Sequence, residues 1–332
     1  MRSVPAGSFA RLSAFEALWS AWADCRRGKR RRSTIAAFDL DADRHLLALS
    51  RSLRNGRYRP SPWRLRVIQD PKLRLIAAPA VPDRVVHHAL LAEIGPCFER
   101  SFIAHSYTAG AGRGPHRAVL QYLAWQRRFG LRLHLDIAGY FQSVDHDVLR
   151  GLIFPRLRDA ETRRLVDLIL CSGAGVYRSP LAARVLGERR PRAGTGLPLG
   201  SWFSQWCGTF YLDGLDQFIK RELKIPGYLR YMDDLVLFSN DAARLVDARA
   251  AVADWLAAER RLALNPKHLE VVPGRAPGVF LGYRISRAGV GPSRKLRRRL
   301  PGRLRRAAGR GEEALVRSIR SYRGLLLFPF GG

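Results

Sequence analysis

Residues 228–239 read YLRYMDDLVLFS, and this stretch decides the fold. Apolar and aromatic side chains flank the acidic pair Asp233 and Asp234, a composition that predicts two β-strands joined by a tight turn. Such a hairpin holds both carboxylates rigidly at the end of a sheet, where they can contact solvent or metal. An acidic pair alone is also typical of a plain turn, but the apolar strands and the preceding Tyr231-Met232 favour a functional site.

A third carboxylate ends another predicted strand. Residues 131–136 read LRLHLD, so apolar and polar side chains alternate up to Asp136. If this strand pairs with the hairpin, Asp136 faces Asp233, and the clustered carboxylates repel one another unless cations neutralise them. Two Mg²⁺ ions, or Mn²⁺ in their place, suit such a cluster because they prefer carboxylate and phosphate oxygens. Two metals about 3.5–4 Å apart can activate a 3′-hydroxyl and stabilise a leaving pyrophosphate.

The chain is strongly basic. Its 332 residues contain 58 Lys and Arg against 28 Asp and Glu, a formal net charge of +30. A folded protein with this excess repels itself unless a polyanion compensates, and nucleic acid is the natural counterion. A GC-rich genome would explain the preference for arginine over lysine, but it would not explain the net charge.

Several classes of protein are excluded. The four cysteines lie far apart with no CxxC pair, which argues against a zinc ribbon or a disulfide framework and fits a reducing compartment. No uncharged apolar run approaches the roughly 18 residues that a membrane helix needs, and the N-terminus makes a poor signal peptide. We therefore expect a cytoplasmic protein that does not act at a membrane.

The remaining periodicity predicts an α+β chain. An apolar face from Phe15 to Trp22 predicts an N-terminal helix, and the basic run Arg26–Arg32 is either a phosphate-facing loop or a solvated cluster. Residues 172–195, rich in Gly and Arg, predict a loop or hairpin. Strands are predicted within 58–79, at 131–136, 228–239 and 279–285, and helices at 40–54, 83–98, 115–129, from 145, at 156–170, 201–222 and 242–261, and from 294 onward.

The chain resembles reverse transcriptases of bacterial retroelements, because motifs similar to those of that family follow one another in the family's order over residues 58–285. Asp136 with Phe141 is similar to the family's first palm motif, and Tyr231-Met232-Asp233-Asp234 to its catalytic hairpin. Further similar motifs are Lys72-Leu73-Arg74, Asp83-Arg84-Val85-Val86, Phe102 to Gly114, Gly196-Leu197-Pro198-Leu199-Gly200 through Ser204-Gln205, Leu264-Asn265-Pro266-Lys267 and Phe280-Leu281-Gly282-Tyr283.

The resemblance implies a right-hand polymerase with fingers, an antiparallel-sheet palm and a short helical thumb. We expect an N-terminal basic helical region over 1–57, fingers over 58–130, a palm over 131–290 with a finger insertion at about 151–195, and a short basic thumb over 291–332. No nuclease or RNase H domain is expected after residue 290. The activity implied is RNA-directed DNA synthesis from a template RNA, a DNA primer and dNTPs in a bacterial or phage-encoded system.

The resemblance also assigns roles at the catalytic centre. Asp136 and Asp233 would bind both metals, with the backbone carbonyl of Ile137 on one of them. Asp234 would join them or pair with a nearby basic group. Lys267 would protonate the leaving pyrophosphate or contact a phosphate.

Roles in substrate binding follow in the same way. Arg74, with Lys72, would hold the triphosphate through charge-assisted hydrogen bonds. Phe141 would lie under the incoming sugar and exclude a 2′-hydroxyl, the alternative being a core aromatic beside Tyr140. Leu199, Gly200 and Gln205 would line the nucleotide and template pocket. Gly282 and Tyr283 would form the primer-supporting turn, with core packing as the alternative for Tyr283.

One motif is similar to a subgroup. The Gly-x-x-x-Ser-Gln form, Gly200 to Gln205, and the Gly28-Lys29-Arg30 segment resemble reverse transcriptases of diversity-generating retroelements. That group copies its template with errors at adenines and works with a small basic accessory protein. Alternatives are a reverse transcriptase of another bacterial system (retron, group II intron-like or phage defence) and a non-catalytic RNA-binding scaffold. The scaffold has little use for clustered carboxylates.

Overall fold

A computed structural model describes residues 3–69, 73–108, 112–267 and 269–328. Lys72, one of the expected triphosphate ligands, lies outside the described residues. Among the described residues, none of the helices is both long and apolar enough to cross a lipid bilayer.

The described chain is a mixture of helices and antiparallel strands, as expected for the α+β class. The helices are α1 (Ser8–Leu12), α2 (Phe15–Arg26), α3 (Ser33–Asp39), α4 (Ala42–Arg54), α5 (Val81–Glu99), α6 (Pro115–Arg128), α7 (Tyr140–Ser143), α8 (His146–Ile153), α9 (Ala160–Gly175), α10 (Pro180–Leu186), α11 (Trp202–Tyr211), α12 (Asp213–Gln217), α13 (Ala242–Arg260), α14 (Arg294–Ala308) and α15 (Glu312–Leu327). The strands are β1 (Arg64–Gln69), β2 (Leu73–Ala78), β3 (Leu131–Asp136), β4 (Gly227–Tyr231), β5 (Asp234–Ser239), β6 (Val271–Pro273), β7 (Gly278–Phe280), β8 (Tyr283–Ser286) and β9 (Gly289–Pro292).

The chain divides into two compact units. Unit 1 comprises residues 1–102, 137–215 and 255–263, and unit 2 comprises residues 103–136, 216–254 and 264–332. The predicted acidic hairpin and the strand that ends at Asp136 both belong to unit 2.

Unit 2 is built on a four-stranded antiparallel sheet with the order β4-β5-β3-β6. Leu131 pairs with Ser239 at one end of the β3–β5 ladder, and Asp136 pairs with Asp234 at the other. The apolar face of α6, with Val119, Tyr122 and Trp125, packs against buried strand residues such as Phe238. This core fixes the register, because a one-residue slip would turn the buried side chains of a strand outward.

Unit 1 contains the hairpin β1–β2, in which Arg64 pairs with Ala78 and Gln69 with Leu73. The predicted loop at 172–195 is wrong, because most of it is helical. The Ser179 hydroxyl accepts the Ala182 N–H at 3.2 Å and caps α10. The buried face of α10 packs on Leu75 and Ala77 of β2, so tertiary burial overrides the Gly- and Arg-rich composition.

Two further predicted elements need correction. The long helix expected at 201–222 ends at Tyr211, whose carbonyl accepts a hydrogen bond from Arg260 Nε at 2.7 Å instead of continuing the helix. A shorter helix, α12, and a π-helical turn over Phe218–Glu222 follow. The single strand expected at 279–285 is the hairpin β7–β8, because Leu281 and Gly282 take positive φ values of 49° and 87° and reverse the chain.

Candidate active site

The acidic pair lies where the sequence predicts it, at the tip of the β4–β5 hairpin. Tyr231 pairs with Asp234, which leaves Met232 and Asp233 as the two residues of the turn. Met232 has a φ of +56°, a left-handed value that glycine usually takes at the first central position of a type II′ turn. Burial raises the pKa of Tyr231, so its phenol stays neutral.

Asp136 joins the hairpin through the register of the sheet. It is directly opposite Asp234 in the β3–β5 ladder. Directly opposed residues of antiparallel strands project from the same face, with Cβ atoms about 4.5–5.5 Å apart. The sheet therefore brings Asp136 and Asp234 together, with Asp233 next to Asp234 in the turn. The residue opposite Asp136 in the ladder is therefore Asp234 and not Asp233, which is the partner expected from the sequence.

Two residues that sequence reasoning did not assign contact these carboxylates. Asn265 donates from Nδ2 to Oδ2 of Asp136 at 2.8 Å, and its backbone N–H donates to the Asp136 carbonyl at 2.8 Å. His134 Nε2 lies 3.2 Å from Oδ1 of Asp234, within hydrogen-bonding distance. Asn265 belongs to the Leu264–Lys267 motif, and His134 is two residues before Asp136, but neither position shows which carboxylate the side chain contacts.

The electrostatic setting of Asp136 and Asp234 suits the binding of a cation. Despite the net charge of +30, no lysine or arginine of the described chain forms an ion pair with Asp136 or Asp234. The Asp234 side chain is 36% exposed. Within the described residues, no three His, Cys, Asp or Glu side chains are grouped to hold a metal ion by themselves. Mg²⁺ in phosphoryl-transfer sites is held by one or two carboxylates together with substrate phosphates, so this donor set fits such an ion.

The other predicted residues of unit 2 are Lys267 and Gly282, which lie on loops, and Tyr283, which begins β8. Lys267 is exposed, and its backbone N–H donates to Asn265 Oδ1 at 3.2 Å. Gly282 is exposed in the β7–β8 turn. Tyr283 is 1% exposed, and its side chain packs in a hydrophobic core. Its hydroxyl lies 3.3 Å from Nε2 of His116.

The predicted pocket residues Leu199, Gly200 and Gln205 lie in unit 1. The Leu199 carbonyl accepts the Ala77 N–H at 2.7 Å, which ties this loop to β2. Gly200 has a φ of +119°, and a Cβ there would lie 2.6 Å from the Ala77 carbonyl oxygen. A glycine is therefore required for this close approach. The Gln205 side chain is exposed on α11.

Arg74, Ile137 and Phe141 also lie in unit 1. Arg74 is exposed on β2, opposite Ile68. Ile137 is 1% exposed, directly after β3. The Phe141 ring is half-buried, with its centroid 5.4 Å from that of Tyr140 in an edge-to-face contact.

Of the two tryptophans on α11, Trp206 is 2% exposed. Trp202 is 46% exposed.

Comparisons with known proteins agree with this geometry. The family described as reverse transcriptase (RNA-dependent DNA polymerase) matches residues 68–285. The chain is 27% identical over 277 residues to Protein YkfC of Escherichia coli (strain K12), which covers 73% of this chain and 71% of that protein. It is 26% identical over 174 residues to the group II intron-encoded protein LtrA of Lactococcus lactis subsp. cremoris, and this alignment covers 51% of the chain. The chain spans about a quarter of LtrA, 27% of its length.

The family match covers more than half of the chain and includes β3, the acidic hairpin and the loop of Asn265. The family works on an RNA template with nucleotides and divalent metal ions. The chain therefore belongs to the reverse transcriptase (RNA-dependent DNA polymerase) family.

Proposed function

We propose that this protein copies a template RNA into cDNA from a DNA primer, with two Mg²⁺ ions held by Asp136, Asp233 and Asp234 and by the carbonyl of Ile137. The observation that supports this most strongly is the opposition of Asp136 and Asp234 across β3 and β5, beside Asp233. These groups would hold the ions, which would supply activation of the primer 3′-hydroxyl and stabilisation of the leaving pyrophosphate. Mn²⁺ is the alternative ion.

The chain's own residues prepare this site. Asn265 donates to Oδ2 of Asp136, and the proposal places Oδ1 of the same carboxylate toward the cation. Lys267, exposed on the same loop, donates a proton to the pyrophosphate or contacts a phosphate. The turn of Gly282 and Tyr283 supports the primer through its backbone, since the Tyr283 side chain is buried.

We propose corresponding roles for the residues of unit 1. Arg74 with Lys72 holds the triphosphate, Phe141 excludes a 2′-hydroxyl, and Leu199, Gly200 and Gln205 line the pocket. In domain terms we propose a basic helical region over 1–57, fingers over 58–130, a palm over 131–290 with the insertion at about 151–195, and a thumb over 291–332. The protein would act in the cytoplasm of a bacterium.

We further propose that the system is a diversity-generating retroelement, with errors at template adenines and a small basic accessory protein. The support is the Gly200–Gln205 motif and the side chain at Leu199. An aliphatic side chain cannot donate or accept a hydrogen bond, so Leu199 would weaken polar positioning of the base pair or sugar.

The second candidate is a reverse transcriptase of a group II intron-like, retron or phage-defence system. The observation that favours it is the similarity to LtrA, a group II intron-encoded protein, at 26% identity. This second candidate would copy its template RNA without an excess of errors at adenines, and that difference distinguishes it from the first.

The test is primer extension on an adenine-containing RNA with Mg²⁺, with and without a small basic protein encoded nearby, followed by cDNA sequencing. We expect errors concentrated at adenines, and we expect Leu199→Gln to reduce them. Accurate cDNA would retain the polymerase and reject the mutagenic role. An error spectrum unchanged by Leu199→Gln would reject the role of that side chain.

A further inference from the structure

The peptide groups on both sides of Met232 are held by side chains outside the turn. The Met232 N–H donates to Thr108 Oγ1 at 2.7 Å, and the Met232 carbonyl accepts from Arg230 Nη1 at 3.0 Å. Met232 is a non-glycine residue at a φ of +56°, a conformation that persists only when its surroundings enforce it. These two hydrogen bonds supply that enforcement directly before Asp233.

Arg230 is itself fixed in place. Its side chain is fully buried, and its guanidinium donates from Nε and Nη2 to the two oxygens of Asp216 at 2.7 and 2.6 Å. The Tyr228 hydroxyl donates to the same carboxylate at 2.7 Å, and Arg230 Nη2 also donates to Ser106 Oγ at 3.2 Å. A buried arginine that binds a carboxylate through two parallel hydrogen bonds has a fixed orientation, so the Arg230 Nη1 atom reaches the Met232 carbonyl at a defined position.

Thr108 is fixed by a separate element. The segment 105–108 runs beside β4: the Arg230 N–H donates to the His105 carbonyl at 3.0 Å, and the Tyr107 N–H donates to the Arg230 carbonyl at 2.9 Å. Two backbone hydrogen bonds therefore set the position of the segment just before Thr108. The turn is held from a neighbouring segment and from within its own hairpin.

We propose that Thr108 and Arg230 are positioning residues that clamp the Met232 peptide and thereby fix the orientation of the catalytic carboxylate Asp233. This inference rests on the proposed function, in which Asp233 binds metal. It gives roles to Thr108, which lies within the Phe102 to Gly114 motif, and to Arg230, and the resemblance assigns a role to neither. Displacement of a catalytic group by about 1 Å can cost 10²-fold in rate, so such a clamp affects kcat more than substrate binding.

The experiment compares Thr108→Val, which removes the acceptor and keeps the shape, with Thr108→Ser, which keeps the hydroxyl. We expect Thr108→Val to lower kcat about 10- to 100-fold, the usual effect of losing an outer support of a metal ligand. It should also raise the Mg²⁺ concentration needed for half-maximal rate. The KM for dNTP and the affinity for RNA should not change, and Thr108→Ser should restore kcat.

Thr162→Val is the matched control for a loss of stability. The Thr162 hydroxyl is buried and hydrogen-bonds the Ser8 hydroxyl at 2.9 Å; both residues belong to unit 1, whereas the hairpin belongs to unit 2. It should lower the melting temperature without changing the kcat of the folded protein. The clamp is overturned if Thr108→Val keeps wild-type kcat, or loses activity only in proportion to its folded fraction, as Thr162→Val does.

Arg230→Lys gives a second, independent variant. Lysine retains the charge beside Asp216 but lacks the fork that reaches Asp216, Ser106 and Met232 at once. We expect its folded fraction, measured by RNA binding, to show the same drop in kcat and the same rise in Mg²⁺ requirement. Full kcat in that fraction would overturn the role of Arg230. If a clamp variant keeps full kcat, Asp233→Ala shows which inference is wrong. An active Asp233→Ala would overturn the proposed function as well, whereas an inactive Asp233→Ala would overturn only the clamp.

Discussion

Asn265→Ala removes the side-chain hydrogen bond that holds Asp136. The Nδ2···Oδ2 distance is 2.8 Å, and the acceptor is a carboxylate, so the bond belongs to a class that contributes about 1.5–3 kcal/mol. The backbone bond from Asn265 to the Asp136 carbonyl is retained, so the loop stays in place while the carboxylate becomes free to rotate. At about 1.4 kcal/mol for each tenfold change in rate, we expect kcat to fall roughly 10- to 100-fold.

Single-nucleotide primer extension at saturating RNA, primer and dNTP, across a Mg²⁺ titration, measures this effect. Asn240→Ala is the matched control, because Asn240 accepts the Gly130 N–H at 2.7 Å at the opposite end of β3 and β5. It should leave kcat unchanged. The reasoning is refuted if Asn265→Ala keeps wild-type kcat while Asp136→Ala is inactive.

Three further predictions concern the frame around the site. Gly200→Ala places a Cβ 2.6 Å from the Ala77 carbonyl oxygen at a φ of +119°. The resulting strain of about 1–3 kcal/mol should displace the loop and raise the KM for dNTP. An unchanged KM would argue against a nucleotide pocket at Gly200. Asp216→Asn leaves the buried Arg230 without its counter-charge and should lower the free energy of unfolding by about 3–5 kcal/mol in urea titrations. A loss below about 1 kcal/mol, which is typical of an ion pair on the surface, would contradict the burial of this pair. Burial lowers the pKa of His87 from 6.5 to about 3, so between these pH values the imidazole is protonated in the unfolded chain and neutral in the folded one. The free energy of unfolding should therefore decrease as the pH falls from 6.5 toward 3, and His87→Gln should make this decrease smaller in urea titrations at several pH values.

The parts of the fold set by local pattern could be predicted from the sequence. The β4–β5 hairpin follows from apolar strands around one acidic turn, and α2 follows from helical spacing of Phe15 and Trp22. The segment 172–195 could not be predicted, because α10 is stabilised by burial against β2, which no local composition reveals. The reversal at Leu281 was also missed, since a leucine at positive φ departs from the usual residue preference.

The candidate site divides in the same way. The carboxylates of Asp136, Asp233 and Asp234 could be identified because each ends a strand or forms a turn. Their partners His134 and Asn265 could not be assigned, because a hydrogen bond across 100 or more residues depends on sheet register and loop path. The direct partner of Asp136 in the ladder, Asp234, likewise required the register.

The central claim is that these carboxylates drive RNA-templated DNA synthesis. The most direct measurement is primer extension on an RNA template with Mg²⁺ by the wild-type chain and by Asp233→Ala, with RNA binding measured on both. We predict cDNA from the wild type and none from Asp233→Ala, at equal RNA affinity. Equal cDNA synthesis by both chains would contradict the account.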